Sequence, residues 1–346
     1  MKVKLADVCT CESSNLKQSD VISISGNYPV YGATGKIGYI DTYKQENPYI
    51  AIVKDGAGIG RTHLCDSKSS VIGTLQYILP KENVLPEYLF YVIKHMHLEK
   101  YYSGATIPHI YFKNYKNEEF NLTSINKQET IINILNDCNK LINLKEAQLQ
   151  KYDELIKARF VEMFGDVIHN SKKWQVCLFA EITSSRLGKM LDAKQQTGRN
   201  SYPYLANFNV QWFRFNLENL NKMDFDEKDR AEFELREGDL LVCEGGEIGR
   251  CAVWHNELQP CFFQKALHRV RCNHQIILPD YLAWWFRYNC DYGGFSALAG
   301  AKATIAHLPG AKLKQLQVAV PPMELQEQFA VFVAQTDKSK VAVRKY

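Results

Sequence analysis

The sequence lacks the features that would place it in a membrane or in an oxidising compartment. No run of apolar residues approaches the roughly 18 that a membrane-spanning helix needs, and Asp7 interrupts the N-terminal apolar stretch too early for a signal peptide. The ten cysteines include no CxxC pair, which argues against a disulfide framework and a structural zinc site. We therefore expect free thiols, no bound metal, no membrane contact and a cytoplasmic location.

Complete catalytic and cofactor-binding motifs are lacking as well. Neither the HExxH motif of metalloproteases nor the GxSxG motif of hydrolases occurs. The segment Gly32–Lys36 resembles a phosphate-binding loop, but Val30 stands where that loop requires glycine and Ile37 where it requires a hydroxyl group. The glycine-rich segment Asp55–Gly60 departs from the GxGxxG spacing of dinucleotide-binding loops. The sequence therefore predicts no catalytic residue and no cofactor.

Composition indicates an ordinary globular protein. Apolar residues make up 46% of the sequence and charged residues 23%, which argues against disorder and against a fibrous repeat. The formal net charge of +4 permits a nucleic-acid partner without requiring one.

The strongest positive signal is an internal repeat. Five short blocks recur in the same order, at offsets that grow from 174 to 198 residues. The matching blocks are Tyr28–Pro29 and Tyr202–Pro203, Ile59–Arg61 and Ile248–Arg250, Leu85–Leu89 and Leu278–Leu282, Ala105–Ile110 and Ala303–Leu308, and Gln128–Glu129 and Gln326–Glu327. The growing offset indicates loop insertions in the second copy, and the ordered repetition indicates a duplicated architecture.

Each copy has the pattern of mixed helix and sheet. The short apolar runs Tyr49–Val53 and Asp239–Cys243 are typical of strands and are followed by glycine-rich turns. A helix is predicted to begin at the Leu-Pro-acid-Tyr-Leu block of each copy, because proline suits the first helical turn. We expect the aromatic run at 281–286 to belong to the core.

A long helix is predicted after each copy. From Ser124 to Phe164 there is no proline or glycine, and residues from Ile131 to Ile156 follow an apolar heptad pattern with one break, at Lys145. Gly165 should end the helix. The residues predicted to pair the two helices or to dock another subunit are Ile131, Leu135, Ile142, Leu149, Tyr152 and Ile156, with Phe329 and Val333 after the second copy. One long helix folded onto its own domain is the alternative.

These patterns predict an α+β fold with two similar globular domains linked by long antiparallel coiled-coil helices. The predicted divisions are residues 1–123, the helix 124–165, residues 166–321 and a shorter second helix 322–346. By the offset of 198, the second helix is expected to be 16 residues shorter than the first. We therefore expect Leu149, Tyr152 and Ile156 to be partly exposed, or covered by another subunit or a second copy.

The ordered motifs resemble the specificity subunit of type I restriction-modification systems. The resemblance rests on the Tyr-Gly-x-x-Gly-x-Ile-Gly run at 31–38, the Ile-Gly-Arg turns within 57–61 and 246–250, and the Ala-Thr-Ile-x-His blocks. The segments that lead into the two helices, at 126–129 and 321–328, match as well. It covers nearly the whole chain.

The resemblance implies a division of labour among subunits. Each globular domain would be a target recognition domain that reads one half of a split site in double-stranded DNA. The helices would set the gap between the halves and dock two methyltransferase subunits, which carry S-adenosylmethionine and the chemistry. A restriction and translocase subunit could join them. The specificity chain itself would catalyse nothing.

Basic residues are the candidates for DNA contact, because phosphate contacts fix register and side chains in a groove read the bases. The candidates are Lys36, Lys54, Arg61, His63, Lys113 and Lys116 in the first copy, and Arg186, Lys189, Lys194, Arg199, Arg214, Arg250 and Lys302 in the second. Residues shared by both copies favour a structural role. We expect this of His109 and His307, near the helix junction, and of Arg61 and Arg250 through salt bridges.

Two other interpretations stay open. The chain could be a repeated protein–protein adaptor whose contact with DNA is incidental, which salt-sensitive binding to duplex DNA would exclude. It could also be an inactive or phase-variable truncated form of a specificity subunit.

Overall fold

Three sheets with the same strand order occur twice along the chain, as the internal repeat predicts. The structure is a computed structural model that describes residues 1–22, 26–56, 58–104, 108–192, 196–296 and 307–345. It contains a first unit, Met1–Leu144, and a second unit, Lys145–Tyr346. None of the described helices is long and apolar enough to cross a membrane.

The first unit is built on three small sheets. Its strands are β1 (Lys2–Lys4), β2 (Cys9–Ser13), β3 (Tyr28–Gly32), β4 (Gly35–Ile40), β5 (Tyr49–Val53), β6 (Thr62–Cys65), β7 (Ser70–Val71), β8 (Leu75–Pro80) and β9 (Glu119–Asn121). Its helices are α1 (Leu5–Val8), α2 (Gln18–Ile22), α3 (Pro86–His95), α4 (Phe112–Tyr115) and the first half of α5 (Ile125–Phe164). The strand orders are β2-β8-β5-β6, β4-β3-β7 and β1-β9. Strand β5, which is predicted from its apolar run, lies between β8 and β6, and all its residues are buried.

The second unit repeats these three sheets. Its strands are β10 (Gln175–Leu178), β11 (Thr183–Leu187), β12 (Ser201–Leu205), β13 (Val210–Gln211), β14 (Arg214–Phe215), β15 (Asn221–Asp224), β16 (Leu240–Cys243), β17 (Cys251–Val253), β18 (Phe262–Phe263), β19 (Leu267–Cys272) and β20 (Gln317–Val320). Its helices are α6 (Phe179–Ile182), α7 (Glu227–Phe233), α8 (Pro279–Asp291), α9 (Gly310–Lys314) and α10 (Met323–Lys345). The orders β11-β19-β16-β17, β15-β12-β18 and β10-β20 match those of the first unit.

Insertions distinguish the second unit. The hairpin β13–β14 and the helix α7 have no counterpart among the described residues of the first unit. Both lie in the interval where the repeat offset grows, so they account for loop insertions predicted from the sequence. The aromatic run at 281–286 lies on α8, and its large side chains are buried, which confirms the prediction of a core position.

A buried glutamine joins the start of α5 to the start of α3. Gln128 is fully buried, and its Oε1 accepts a hydrogen bond from the amide of Leu85 at 2.8 Å. Its Nε2 donates to the carbonyl oxygens of Asn83 at 3.0 Å and Thr123 at 2.9 Å. One side chain therefore satisfies three backbone groups around the two helix starts.

The second unit contains the same junction. Gln326 is fully buried, and its Oε1 accepts from the amide of Leu278 at 2.8 Å. Its Nε2 donates to the carbonyl oxygens of Ile276 at 3.0 Å and Pro321 at 2.8 Å. This correspondence explains why the Gln-Glu block is among the repeated motifs.

Within the second unit, α10 packs antiparallel against the C-terminal half of α5. The ring centroids of Phe160 and Phe329 lie 5.5 Å apart, and Nζ of Lys340 lies 2.7 Å from a carboxylate oxygen of Asp153. Because Phe160 follows Asp153 while Phe329 precedes Lys340, the two helices run in opposite directions. Helix α5 ends at Phe164, as predicted.

Part of the predicted exposure along α5 is wrong. Ile156 is only 1% exposed and belongs to the core of the second unit together with Phe329 and Val333. The reason is the antiparallel packing, which brings the beginning of α10 to the end of α5. Leu149 and Tyr152 are half-buried. The exposed apolar residues of the first half of α5 are Ile131, Ile134, Leu141, Ile142 and Leu144, while Leu135 is half-buried.

Candidate nucleic-acid interface

Loops from several strands meet at one end of the first unit. Four backbone hydrogen bonds, each from an amide nitrogen to a carbonyl oxygen, join them. They connect Ile72 to Tyr31 (3.0 Å), Gly73 to Leu16 (2.7 Å), Lys54 to Thr74 (2.9 Å) and Ile110 to Lys54 (2.9 Å). We call this end the first loop edge, comprising residues 14–17, 32–36, 54–56, 58–61, 72–74 and 108–111.

The second unit has an equivalent end with the same bonds. They connect Gln264 to Leu205 (3.0 Å), Lys265 to Lys189 (2.8 Å), Glu244 to Ala266 (3.0 Å) and Leu308 to Glu244 (2.7 Å). We call it the second loop edge, comprising residues 188–191, 206–209, 244–250, 264–266 and 307–309. The duplication therefore extends to individual hydrogen bonds, so the two edges are comparable position by position.

The arginines of the two Ile-Gly-Arg turns hold the neighbouring turn of each edge. Arg61 donates from Nη1 to the carbonyl oxygen of Ala33 at 2.9 Å. Arg250 donates from Nη2 to the carbonyl oxygen of Asn207 at 3.1 Å and to its Oδ1 at 3.0 Å. The side chain of Arg250 is only 18% exposed, and it also lies 3.4 Å from Glu247. Both arginines therefore hold a neighbouring turn, as expected of repeated residues. The predicted salt bridge forms only at Arg250 among the described residues, whereas Arg61 is exposed and bonds a backbone carbonyl group.

The repeated histidines lie at the loop edges, in different surroundings. Nδ1 of His109 lies 2.6 Å from Oδ1 of Asp55, which also forms an ion pair with Lys54. Burial opposes ionisation of Asp55, but the hydrogen bonds from Lys54 and His109 outweigh it and lower the pKa of Asp55. The carboxylate thereby fixes the orientation of the imidazole.

In the second unit a glycine occupies the position of Asp55. His307 forms a β-bridge with Gly245, as His109 does with Asp55. A Cβ atom on Gly245 would lie 3.2 Å from Cε1 of His307, so the ring fills the space that a side chain would need. Both histidines join the end of a central strand to the chain before α4 or α9, a different location from the expected helix junction.

Most predicted cations of the first unit lie at or close to its loop edge. Lys116 does not, because its carbonyl oxygen accepts a hydrogen bond from the amide of Ala6 at 2.9 Å, before the start of β2, whereas the loop edge follows the end of that strand. Lys36 is exposed, with its Nζ 3.6 Å from Asp66 and 5.9 Å from the ring centroid of Tyr31. His63 places Nε2 3.2 Å from the carbonyl oxygen of Ala33. The exposed residues Lys113 and Lys116 follow the loop edge in the sequence, on and after α4.

Two predicted cations of the second unit form ion pairs with acidic residues of helix α7. Lys189 donates from Nζ to the carbonyl oxygen of Asp224 at 2.8 Å and forms an ion pair with Asp229. Arg186 forms an ion pair with Glu232. These contacts hold α7 against the sheet and leave Lys189 little exposed surface for a ligand.

Other predicted residues of the second unit are open to solvent or cannot be placed. Arg199 and Arg214 are exposed. Lys194 and Lys302 lie outside the described residues, as do the repeated threonines Thr106 and Thr304.

The loop edges also contain exposed residues that the sequence reasoning missed. Lys17 and Lys265 are exposed cations of the first and second edge, and Phe208 is an exposed aromatic residue of the second. Each belongs to a short loop whose position becomes apparent only through the long-range hydrogen bonds. Within the described ranges, no group of three or more His, Cys, Asp or Glu side chains could hold a metal ion.

The chain matches a known family twice. The profile of the family described as type I restriction modification DNA specificity domain matches residues 1–152 and, a second time, residues 171–345. A putative type I restriction enzyme specificity subunit, MjaX, of Methanocaldococcus jannaschii is 24% identical over 151 residues, which cover 42% of this chain. The matching segment spans 36% of that relative's length.

Solved structures share the whole fold. The type I restriction-modification S subunit from M. genitalium superposes with a TM-score of 0.62 at 14% identity, over 100% of this chain and 91% of the other. A structure described as explaining complex assembly and conformational transition of the type I R-M system has a TM-score of 0.55 at 13% identity, over 100% and 92% of the two chains. At these identities the likeness shows the fold.

Proposed function

Because this chain belongs to the type I restriction-modification DNA specificity family, we propose that it recognises a bipartite site in double-stranded DNA, one half through each unit. The proposed contact surfaces are the two loop edges. Lys36 and Lys17 would contact phosphates in the first half-site, and Lys265 in the second. Arg199 and Arg214 are exposed but lie outside the second loop edge, so their contact with DNA stays a prediction. Direct DNA contact by Arg186, Lys189 and Arg250, which have internal partners, stays a prediction.

The observation that carries this proposal is the repetition of the loop-edge hydrogen bonds with different side chains on them. A common backbone can present side chains to two half-sites in the same way, while the side chains decide which bases each edge prefers. The change from Lys54 and Asp55 to Glu244 and Gly245 is of this kind, because it alters charge and hydrogen-bonding groups at equivalent positions.

The helices would assemble the complex and set the gap between the half-sites. The apolar residues exposed on the first half of α5 form a stripe that is typical of a protein-contact surface. We infer that methyltransferase subunits, two per complex, dock on the helices and supply the chemistry, and that restriction and translocase subunits can join. Work on cellular DNA within such a complex implies a cytoplasmic location.

The proposal is tested by reconstitution with the methyltransferase partner. The complex should bind duplex DNA with an affinity that falls steeply as salt rises, because counterions are released from neutralised phosphates. It should methylate one bipartite sequence with S-adenosylmethionine, and this chain alone should methylate and cut nothing. Turnover by the chain alone after stringent purification would contradict the proposal, and salt-insensitive binding would favour a protein–protein adaptor.

A further inference from the structure

The second loop edge presents an aromatic side chain to solvent. Phe208 is 56% exposed and lies at the centre of the 3-10 turn Asn207–Asn209. A phenyl ring left in water forgoes the stabilisation that burial would provide. A single exposed apolar residue elsewhere on the surface would require no explanation. Phe208, however, lies on the proposed contact surface, where an exposed ring can contact DNA.

The residue before Phe208 is fixed to the rest of the edge. Asn207 donates from Nδ2 to the carbonyl oxygen of Gly245 at 2.9 Å. It also accepts the two hydrogen bonds from Arg250, one on its backbone oxygen and one on its side chain. Asn207 thus connects the turn to the loop after β16.

The residue after Phe208 is fixed as well. Asn209 is fully buried, and its Oδ1 accepts a hydrogen bond from the amide of Ala206 at 2.9 Å. Its Nδ2 donates to the carbonyl oxygen of Asn216 at 3.0 Å. Both neighbours of Phe208 are therefore held by side-chain hydrogen bonds, so the ring is presented from a rigid backbone, as recognition requires.

The equivalent position of the first unit carries a different side chain. At the offset of 174, which relates Tyr28–Pro29 to Tyr202–Pro203, Phe208 corresponds to Thr34. Thr34 is exposed too, and the turn before it is held by Arg61 through the same type of bond. In both units an arginine therefore holds this turn, but the exposed side chain is a threonine in the first unit and a phenylalanine in the second.

A further hydrogen bond holds the turn, and an exposed cation lies on the same edge. Gln211 donates from Nε2 to the carbonyl oxygen of Phe208 at 3.1 Å. Lys265, which is exposed in the loop 264–266 of this edge, can contact a phosphate and fix the register of the edge on DNA. The ring itself has no charge and no hydrogen-bonding group, so its partner must be an apolar part of the duplex. In the major groove that part is the C5-methyl group of thymine.

We propose that Phe208 is a specificity-determining residue that contacts the C5-methyl group of a thymine in the half-site read by the second unit. This inference rests on the proposed function. By the same reasoning, Thr34 would contact the corresponding base pair of the first half-site.

The test uses the complex with its methyltransferase partner and a duplex that carries the target found by methylation mapping. Each thymine of the target is replaced in turn by deoxyuridine, which lacks only the methyl group. One replacement in the second half-site should weaken binding by the wild-type complex about tenfold. Phe208→Ala should weaken binding to the unmodified duplex to the same extent and become insensitive to that replacement, while Phe208→Leu should lie in between.

The controls separate this inference from the proposed function. Phe208→Ala should leave thermal unfolding and the salt dependence of binding unchanged, because it removes neither a buried group nor a charge. Tyr292→Ala, which removes an aromatic residue of similar exposure beyond α8, should bind like the wild type. Lys265→Ala, which removes an exposed cation of the second loop edge, should weaken binding and reduce the salt slope by about one.

Three results would overturn the inference and leave the proposed function intact. They are normal binding by Phe208→Ala in a complex that responds to Lys265→Ala, a uniform loss that persists with every deoxyuridine duplex, and a second half-site without thymine. Failure of the wild-type complex to bind DNA in a salt-dependent way would instead refute the proposed function.

Discussion

The first and second loop edges have the same backbone hydrogen bonds and different side chains. An ion-paired carboxylate, Asp55, orients His109 in the first edge, whereas His307 packs directly on Gly245 in the second. Lys54 becomes Glu244 at an equivalent position. The duplicated fold therefore keeps the same backbone support in both units and varies the side chains that the edges present, as the proposed reading of two different half-sites requires.

The second unit also carries additions that change how its cations are used. Arg186 and Lys189 form ion pairs with residues of helix α7, so their charges stabilise the fold of the second unit. The first unit has no such helix among its described residues, and Lys36 lies exposed at its edge. Lys54 of the first unit is ion-paired too, with Asp55. The sequence alone therefore does not distinguish a basic residue that is available to a ligand from one that has an internal acidic partner.

The largest expected effect is that of removing the buried glutamine that each unit contains at its helix junction. Gln128→Ala and Gln326→Ala should each lower the free energy of unfolding of their own unit by about 3 kcal/mol, because three buried backbone groups lose their partner. Urea denaturation combined with hydrogen exchange can assign the loss to a unit. Gln150→Ala, at an exposed position of α5, should have little effect. Strongly unequal losses in the two units would break the structural equivalence.

A smaller loss of stability is expected when Lys189, which is ion-paired with α7 in the second unit, is removed. Lys189→Ala should destabilise the second unit by about 2 kcal/mol, because Asp229 and the carbonyl group of Asp224 lose a charged partner. Thermal unfolding and the circular dichroism of α7 would report it. Lys228→Ala provides the control, since this exposed lysine lies on α7, the helix that Lys189 contacts. If Lys189→Ala reduced DNA affinity with unchanged stability, Lys189 would belong to the interface.

The ion pair of the first edge should make its stability depend on pH. The pKa of Asp55 lies below its ordinary value of 3.8. A carboxyl group of this kind stabilises the fold above its ordinary pKa, and the contribution disappears as the pH falls through the lowered value. Asp55→Asn should therefore cost the first unit about 1 kcal/mol at neutral pH. The difference from the wild type should vanish in acid.

Denaturation curves from pH 7 to pH 2 check this prediction. Asp137→Asn, at an exposed position of α5, is the matched control and should show no such pH dependence. A difference that grew as the pH fell would contradict the assignment. The second unit, with Gly245 at this position, should behave alike in all variants.

The smallest effect concerns a single phosphate contact. Lys36→Ala should weaken binding of all sequences and reduce the slope of log affinity against log salt by about one. Fluorescence anisotropy at several salt concentrations measures this slope. Lys151→Ala, at an exposed position of α5, should leave it unchanged. An unaltered slope for Lys36→Ala would remove this residue from the interface.

Local signals predicted much of the fold. The strand Tyr49–Val53 follows from a run of apolar residues, and α3 and α8 follow from proline at the first turn of each. Helix α5 ends at Phe164 because Gly165 adopts a positive φ of 72°. These features depend on neighbours in sequence, so their patterns are readable without the fold.

Long-range partners could not be predicted in this way. Asp55 and His109 are 54 residues apart, and Lys189 and Asp229 are 40 residues apart, so nothing in their local sequence indicates the pairs. The burial of Ile156 depends on the direction in which α10 packs. Phe208 belongs to a turn whose position is set by the hydrogen bonds of Asn207 and Asn209 rather than by periodicity.

The central claim is that each unit reads its own half-site. Residues 166–321 should be replaced by the matching domain of a relative with a different target, and the host methylome sequenced with the methyltransferase partner present. One half of the methylated sequence should change to that of the relative, while the other half stays the same. A change in both halves, or an unchanged target with full methylation, would contradict the account.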